Sequence, residues 1–235
     1  MDTSYTSLHL VSAGRTNPGR RRELNEDAWR GADQSDNFHL WAQRGRLFAV
    51  ADGMGGHAAG EVASQLAIET LFAEYYGGAE GPAPSDGDPY PLAGQLRRSI
   101  SSANRTIYEQ ATMQVSQAGM GTTIVAAVVY YDWLIVANVG DSRAYLVRDG
   151  VIEQITHDHS WIAEQVGAGV LTEKEARVHV YRNLVTRCLG HHPDVQVDTF
   201  ERFLEPGDVV LLCSDGLSNQ VSDAEIAHIL GESMP

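Results

Sequence analysis

Three short apolar runs in this chain each end in an aspartate. Leu47-Phe48-Ala49-Val50-Ala51 leads into Asp52-Gly53, Trp133–Val139 leads through Gly140 into Asp141-Ser142, and Val209–Cys213 leads through Ser214 into Asp215-Gly216. A further acidic pair, Glu26-Asp27, follows the basic run Arg20-Arg21-Arg22. Asp-Gly after a strand is a common turn, since Asp hydrogen-bonds its own backbone and Gly accepts positive φ. Yet an unpaired carboxylate at the end of a buried strand is expensive to desolvate. If the strand ends converge, a cation is the natural partner. The donors would be carboxylates and backbone carbonyls such as that of Gly53, which suits Mg²⁺ or Mn²⁺ better than Zn²⁺. Two such ions ~3.5–4 Å apart can share a water and present it as a nucleophile for phosphoester hydrolysis. Residue pattern alone leaves the turn and metal readings both open.

The elements that must position these acids read as strands in runs and helices in runs. Residues 47–51, 122–130, 133–139, 144–147 and 209–213 are apolar, mostly β-branched or aromatic, and bounded by Gly, Asp or Asn. Tyr131-Asp132 and Arg148-Asp149-Gly150 separate pairs of runs as hairpin turns do. Leu92, Leu96, Ile100, Ala103, Ile107 and Ala111 recur at helical spacing over residues 92–113. A second helix is predicted over residues 58–76, with Val62, Ala63, Leu66 and Ala67 inward, and residues 77–91 between them read as a loop. Thr172 with Glu175, and Ser222 with Glu225, have the spacing of capping boxes. The absence of a regular βαβ alternation makes the fold class α+β, in one domain.

Composition narrows the function. The chain has 235 residues, 43% of them hydrophobic, enough for a sizeable core. Lys and Arg number 17 against 31 Asp and Glu, a net charge of −14. That balance opposes nucleic-acid binding and docking to anionic lipid. No apolar run reaches the ~20 residues of a membrane span, and the N-terminal residues lack a secretory pattern. Cys188 and Cys213 are too few for a disulfide framework. A reducing cytoplasm is the expected setting.

Five segments, in order, resemble the successive motifs of the PP2C-type (PPM) metal-dependent Ser/Thr protein phosphatases, in their bacterial form. They are Arg22-Glu-Leu-Asn25-Glu26-Asp27, Val50-Ala-Asp52-Gly53-Met54-Gly55-Gly56-His57, Gly119-Met-Gly121-Thr122-Thr123, Asn138-Val-Gly140-Asp141-Ser142-Arg143, and Cys213-Ser214-Asp215-Gly216-Leu217. The resemblance implies a central β-sandwich of two antiparallel sheets flanked by helix pairs. It implies two Mn²⁺ or Mg²⁺ ions, bridged by Asp52, with the Gly53 carbonyl on one and Asp215 on the other. Glu26 and Asp27 would lie around the metals, and Asp141 would help bind a third, weaker ion. Arg22 would clamp the substrate phosphate, a task its guanidinium fork suits. The implied activity is hydrolysis of phosphoserine and phosphothreonine in proteins by a water bridging the two metals, opposite a cognate Ser/Thr kinase, with a monomer expected.

Residues 157–190 would be the family's flap. Within it, His157-Asp158-His159-Ser160 invites a metal or general-acid reading, but an exposed loop or a helix cap at Ser160 is preferred. His57 would support the site by a hydrogen bond, and His179 would contact substrate from the flap. The family usually has Pro after this histidine; Val180 stands here, so a different flap shape is expected. The family's closing Asp-Asn motif has no counterpart in the 19 residues after Gly216. The domain is therefore expected to lack its C-terminal strand and last metal motif. The alternative reading is a pseudophosphatase that binds phosphoproteins or a regulatory partner without turnover.

Overall fold

The computed structural model describes residues 8–20, 24–31, 38–55, 59–77 and 90–232. One sheet contains β1 (Asp27–Gly31), β2 (Arg46–Met54), β3 (Gly121–Thr122), β4 (Ile124–Tyr130), β5 (Trp133–Val139) and β8 (Asp198–Phe203); the other contains β6 (Arg143–Arg148), β7 (Val151–Gln154) and β9 (Val209–Cys213). The strand orders are β1-β2-β4-β5-β8, with β3 continuing alongside β2, and β7-β6-β9. Every pairing is antiparallel.

The central strands read as unbroken apolar runs because both their faces are buried. Ile124, Ala126, Val128, Ile135, Ala137 and Val139 enter a core shared with two long helices, α2 (Ala59–Gly77) and α3 (Tyr90–Met113). Their alternates Val125, Ala127, Leu134 and Val136 meet Ala144, Leu146 and Ile155 between the sheets. Period-two side-chain alternation thus divides one strand between two cores. On the far side of the smaller sheet, α7 (Asp223–Glu232) lies over β6 and β7, where the Tyr145 hydroxyl donates to Asp223 Oδ1 at 3.2 Å. The result is a sandwich between helices.

The two hairpins close as their sequences require. Tyr130 pairs with Trp133 and Arg148 with Val151, so each turn has two residues. Tyr131, Asp149 and Gly150 take φ of 53°, 52° and 75°, the left-handed values that match strand twist. Arg148 belongs to the strand rather than to the turn. Both capping boxes form, Ser222 with Glu225 and Thr172 with Glu175, the latter opening α5 (Glu173–Ala176).

Several expectations need adjustment. The run 122–130 breaks at Thr123, whose backbone turns to bond Asp52 instead of continuing the ladder. The inward stripe of α2 is Gly60, Ala63, Ser64, Ala67, Ile68, Leu71, Phe72 and Tyr75; Val62 and Leu66 are only partly buried. Small residues win the inner face because α2 starts hard against the strand ends. Tyr90 and Pro91 belong to α3, and residues 78–89 of the expected loop lie outside the described residues. Strands β1 and β8, and helices α1 (Phe38–Arg44) and α6 (Asp215–Ser218), have no counterpart in the sequence reading, and of α4 (Trp161–Gly167) only the cap at Ser160 has one.

Helix α2 approaches the sheet closely at Gly53 and Gly60. A Cβ on Gly53 would fall 2.0 Å from the Gly60 carbonyl oxygen and 2.7 Å from that of Glu26, both backbone. Gly53→Ala must therefore push α2 outward, and thermal unfolding should show a loss at the upper end of the ~1–3 kcal/mol typical of overpacking. An unchanged melting temperature would show that α2 is free to move.

Candidate metal centre

Two neighbouring strands set the first pair of acids side by side. Asp27 opens β1 directly across the ladder from Asp52 on β2. Opposed residues of antiparallel strands project to the same face, and like charges so placed repel. The third acid, Asp215, follows β9 from the other sheet, and its carboxyl lies close enough to that of Asp52 to oppose its ionisation. Asp141 follows β5 at the same end. Burial, with repulsion from Asp27, Asp215 and Asp141, pushes the Asp52 carboxyl up to about 9. Asp141 is pushed up to about 7 by burial and then by Asp215 and Asp158.

Hydroxyl and glycine positions hold the backbones that carry these charges. The Asp52 N–H donates to Thr123 Oγ1 at 3.0 Å, and the Asp52 carbonyl accepts from the Thr123 N–H and Thr122 Oγ1, both at 2.9 Å. Thr123 Oγ1 also lies 2.7 Å from Ser142 Oγ, the residue after Asp141. Ser214 Oγ donates to Asp27 Oδ2 at 2.9 Å, tying the two sheets together beside Asp215. The Glu26 carbonyl accepts from the Gly53 N–H at 3.0 Å and from Ser64 Oγ at 2.6 Å. Its carboxylate lies against Gly60, where a Cβ would come within 2.5 Å of Oε1.

These are hard oxygen donors, and the cluster's electrostatics call for positive charge. Among the described residues, no three Asp, Glu, His or Cys side chains close on one point as a finished coordination sphere. A divalent ion, when bound, is the largest local charge in such a site and would supply attraction to offset the repulsion. Asp27, Asp52, Asp141 and Asp215, with Glu26 and the Gly53 carbonyl nearby, suit Mg²⁺ or Mn²⁺.

The remaining sequence candidates separate. Arg22 and His57 lie outside the described residues. His179 stacks on Trp161 with ring centroids 5.0 Å apart, and Tyr181 completes that aromatic group. His157, Asp158 and His159 form no metal cluster: His157 meets the Phe200 ring, Asp158 takes a bidentate ion pair from Arg143, and His159 bonds Gly140. His159 is 7% exposed, so the expected exposed loop is corrected to a buried anchor. Ser160 does cap α4, accepting from the Ala163 N–H at 3.3 Å. Sequence reasoning missed the supporting roles of Thr123, Ser142, Ser214 and Ser64. Ser142 and Ser214 adjoin Asp141 and Asp215 in sequence, whereas Thr123 and Ser64 lie far along the chain from Asp52 and Glu26 and gave no local signal.

Two outcomes are expected. Thr123→Val keeps the shape but strands the Asp52 N–H and the Ser142 hydroxyl, and should cost about 1–3 kcal/mol in denaturant unfolding, whereas Thr123→Ser should cost less. Asp52 ordinarily ionises near 3.8, well below its folded value of about 9. The fold therefore favours the protonated group: its contribution is full below pH about 4 and is lost as pH rises through about 9. Asp141 acts likewise through about 7. The melting temperature of metal-free protein should thus fall with rising pH more steeply than that of Asp52→Asn; parallel curves would refute the crowding.

The family model described as Protein phosphatase 2C matches residues 21–234. The serine/threonine phosphatase stp of Listeria monocytogenes is 38% identical over 216 residues, 92% of this chain and 81% of that protein. The serine/threonine protein phosphatase PstP of Mycobacterium tuberculosis is 40% identical over 225 residues, 95% of this chain and 39% of that longer protein. Among solved structures, serine/threonine phosphatase Stp1 of Staphylococcus aureus superposes with a TM-score of 0.83 at 34% identity, covering 100% of this chain and 88% of that one. The catalytic domain of PstP in complex with two manganese ions gives 0.69 at 37% identity, covering 93% and 88%.

Proposed function

The chain belongs to the protein phosphatase 2C family, and from that premise we propose that it hydrolyses phosphoserine and phosphothreonine in proteins with two Mn²⁺ or Mg²⁺ ions. The observation that carries this reading is the crowding of Asp27, Asp141 and Asp215 around Asp52 at one end of the sandwich. When bound, the ions supply an activated water and neutralise charge developing on the phosphoryl group. Asp52, approached by Asp27 and Asp215 from the two sheets, would bridge the two ions. The Gly53 carbonyl would serve one ion and Asp215 the other, with Glu26 and Asp27 around them and Asp141 at a third, weaker site. Arg22 orients the substrate phosphate bidentately. The Thr122–Thr123 clamp keeps the Asp52 backbone from yielding to repulsion, so that backbone's place is set before an ion arrives.

Residues 157–190 act as a flap in this reading. Its return path is fixed by bridges from Ser160 to Val185 and from Thr122 to Leu189. The outer part exposes Val178, Val180 and Tyr181. The aromatic group around Trp161 sets how His179 is presented to a substrate. We further infer a cognate Ser/Thr kinase, a monomer and a cytoplasmic setting. No helix of the described residues is long and apolar enough to cross a membrane. The pseudophosphatase alternative gains no support, since the relatives are named as phosphatases.

The test is manganese-dependent hydrolysis of an aryl phosphate and of a phosphothreonine peptide. Asp52→Ala and Asp215→Ala should each lower kcat by ~100-fold or more, as loss of electrostatic stabilisation at a reacting centre does. Arg22→Ala should lower kcat/KM roughly 10–100-fold, the worth of charged hydrogen bonds to the phosphate. Stable, metal-loaded protein without turnover would favour the binding reading instead.

A further inference from the structure

We propose that His159 is a positioning residue for Asp141, acting through the backbone of Gly140. The inference rests on the reading of Asp141 as a ligand of the weaker third ion. The two peptide groups flanking Gly140 are both held by this histidine. The Gly140 N–H donates to His159 Nδ1 at 3.0 Å, and the His159 N–H donates back to the Gly140 carbonyl at 2.9 Å. Asn138 Nδ2 donates to the same carbonyl at 3.3 Å. Gly140 itself takes φ of 110°, and a Cβ there would lie 2.6 Å from Thr123 Cβ, so the turn is closed toward β4 as well. On the other flank Ser142 is fixed to Thr123. Asp141 is therefore carried by a turn gripped before and after it.

The grip requires one tautomer. An Nδ1 that accepts a backbone N–H carries no proton, so the ring proton sits on Nε2 and is donated to Asp198 Oδ2 at 3.1 Å. Arg187 Nη1 lies 2.9 Å from the same Nε2, but two donors do not bond; Arg187 is held by Asp198 Oδ1, also at 2.9 Å. Asp198 stands on β8 across the ladder from Asn138, at the level of the turn. Burial holds the imidazole below its ordinary value, against the Asp198 hydrogen bond and with the help of Arg187. The ring stays neutral, the form that can accept from Gly140. Partners of this kind, one layer behind a ligand, orient it and tune affinity.

Long-range ¹H–¹⁵N NMR of the metal-free protein reads the tautomer directly. A proton on Nε2 alone is expected, and a proton on Nδ1 would overturn the proposal. Calorimetric titration with Mn²⁺ alone reads the ions. His159→Ala should weaken the weaker ion roughly tenfold while sparing the tight ones. His159→Asn, whose Oδ1 reaches the same N–H as Nδ1, should restore most of that loss. An unchanged weaker ion in the Ala variant, or an Asn variant no better than Ala, would overturn it. If His159→Ala fails to fold, Asp198→Ala frees the tautomer and should weaken the ion, whereas Asp198→Asn still accepts from Nε2 and should not; equal behaviour of the two would overturn the proposal. Absence of tight Mn²⁺ binding and of hydrolysis in the unaltered chain would overturn the phosphatase reading itself, a result distinct from loss of the weaker ion alone.

Discussion

Like charges held together by rigid backbone are the constraint on which this structure turns. Asp27 and Asp52 face each other across a ladder, and Asp215 and Asp141 approach from other strand ends. Left to themselves, four carboxylates would spread apart. They do not, because Thr122 and Thr123 fix the Asp52 peptide groups, Ser214 holds Asp27, and two glycines let α2 close over Glu26. The unrelieved repulsion then shows up as affinity for positive charge, whether a proton or a divalent ion. Folding energy gathered elsewhere in the molecule is thus spent at one end of the sandwich.

The elsewhere is the pair of cores. One lies between the sheets and the other between the larger sheet and α2–α3, and the central strands feed both. A polar seam runs alongside. Arg143, two residues after Asp141, pairs with Asp158 and donates to the Tyr145 hydroxyl at 2.9 Å, which in turn reaches Asp223 on α7. The start of the segment from 157 to 190, the metal-side turn and the outer helix therefore share one network.

Much of this was legible in the sequence. Continuous apolar runs gave β4, β5 and β9, the three- and four-residue spacing gave α3, and the acids that act on Asp52 include Asp141 and Asp215, each visible in the sequence after an apolar run. The misses have physical causes. Strand β8 reads Asp-Thr-Phe-Glu-Arg-Phe, because an edge strand carries charges that disfavour further pairing, and its hydrophobic signal is diluted. The stripe of α2 shifted because close helix–strand approach selects Gly, Ala and Ser, residues a hydrophobicity pattern undervalues. His159 looked like part of a surface triplet, since nothing local announces that its ring will be buried against Gly140 and Asp198. Hydrogen bonds spanning long stretches of chain leave no periodicity behind.

The order of pairing along the chain has a consequence for biosynthesis. Asp27 and Asp52 are brought together by neighbouring strands, but Asp215 arrives only when β9 returns to pair with β6, across the whole segment from β7 to β8. Such distant pairing is the slow part of folding, and domains emerge from the ribosome N-terminus first. A nascent chain would thus hold an incomplete acid cluster until β9 has been made. Hydrolytic competence would therefore follow the pairing of β9 with β6 and could not precede it.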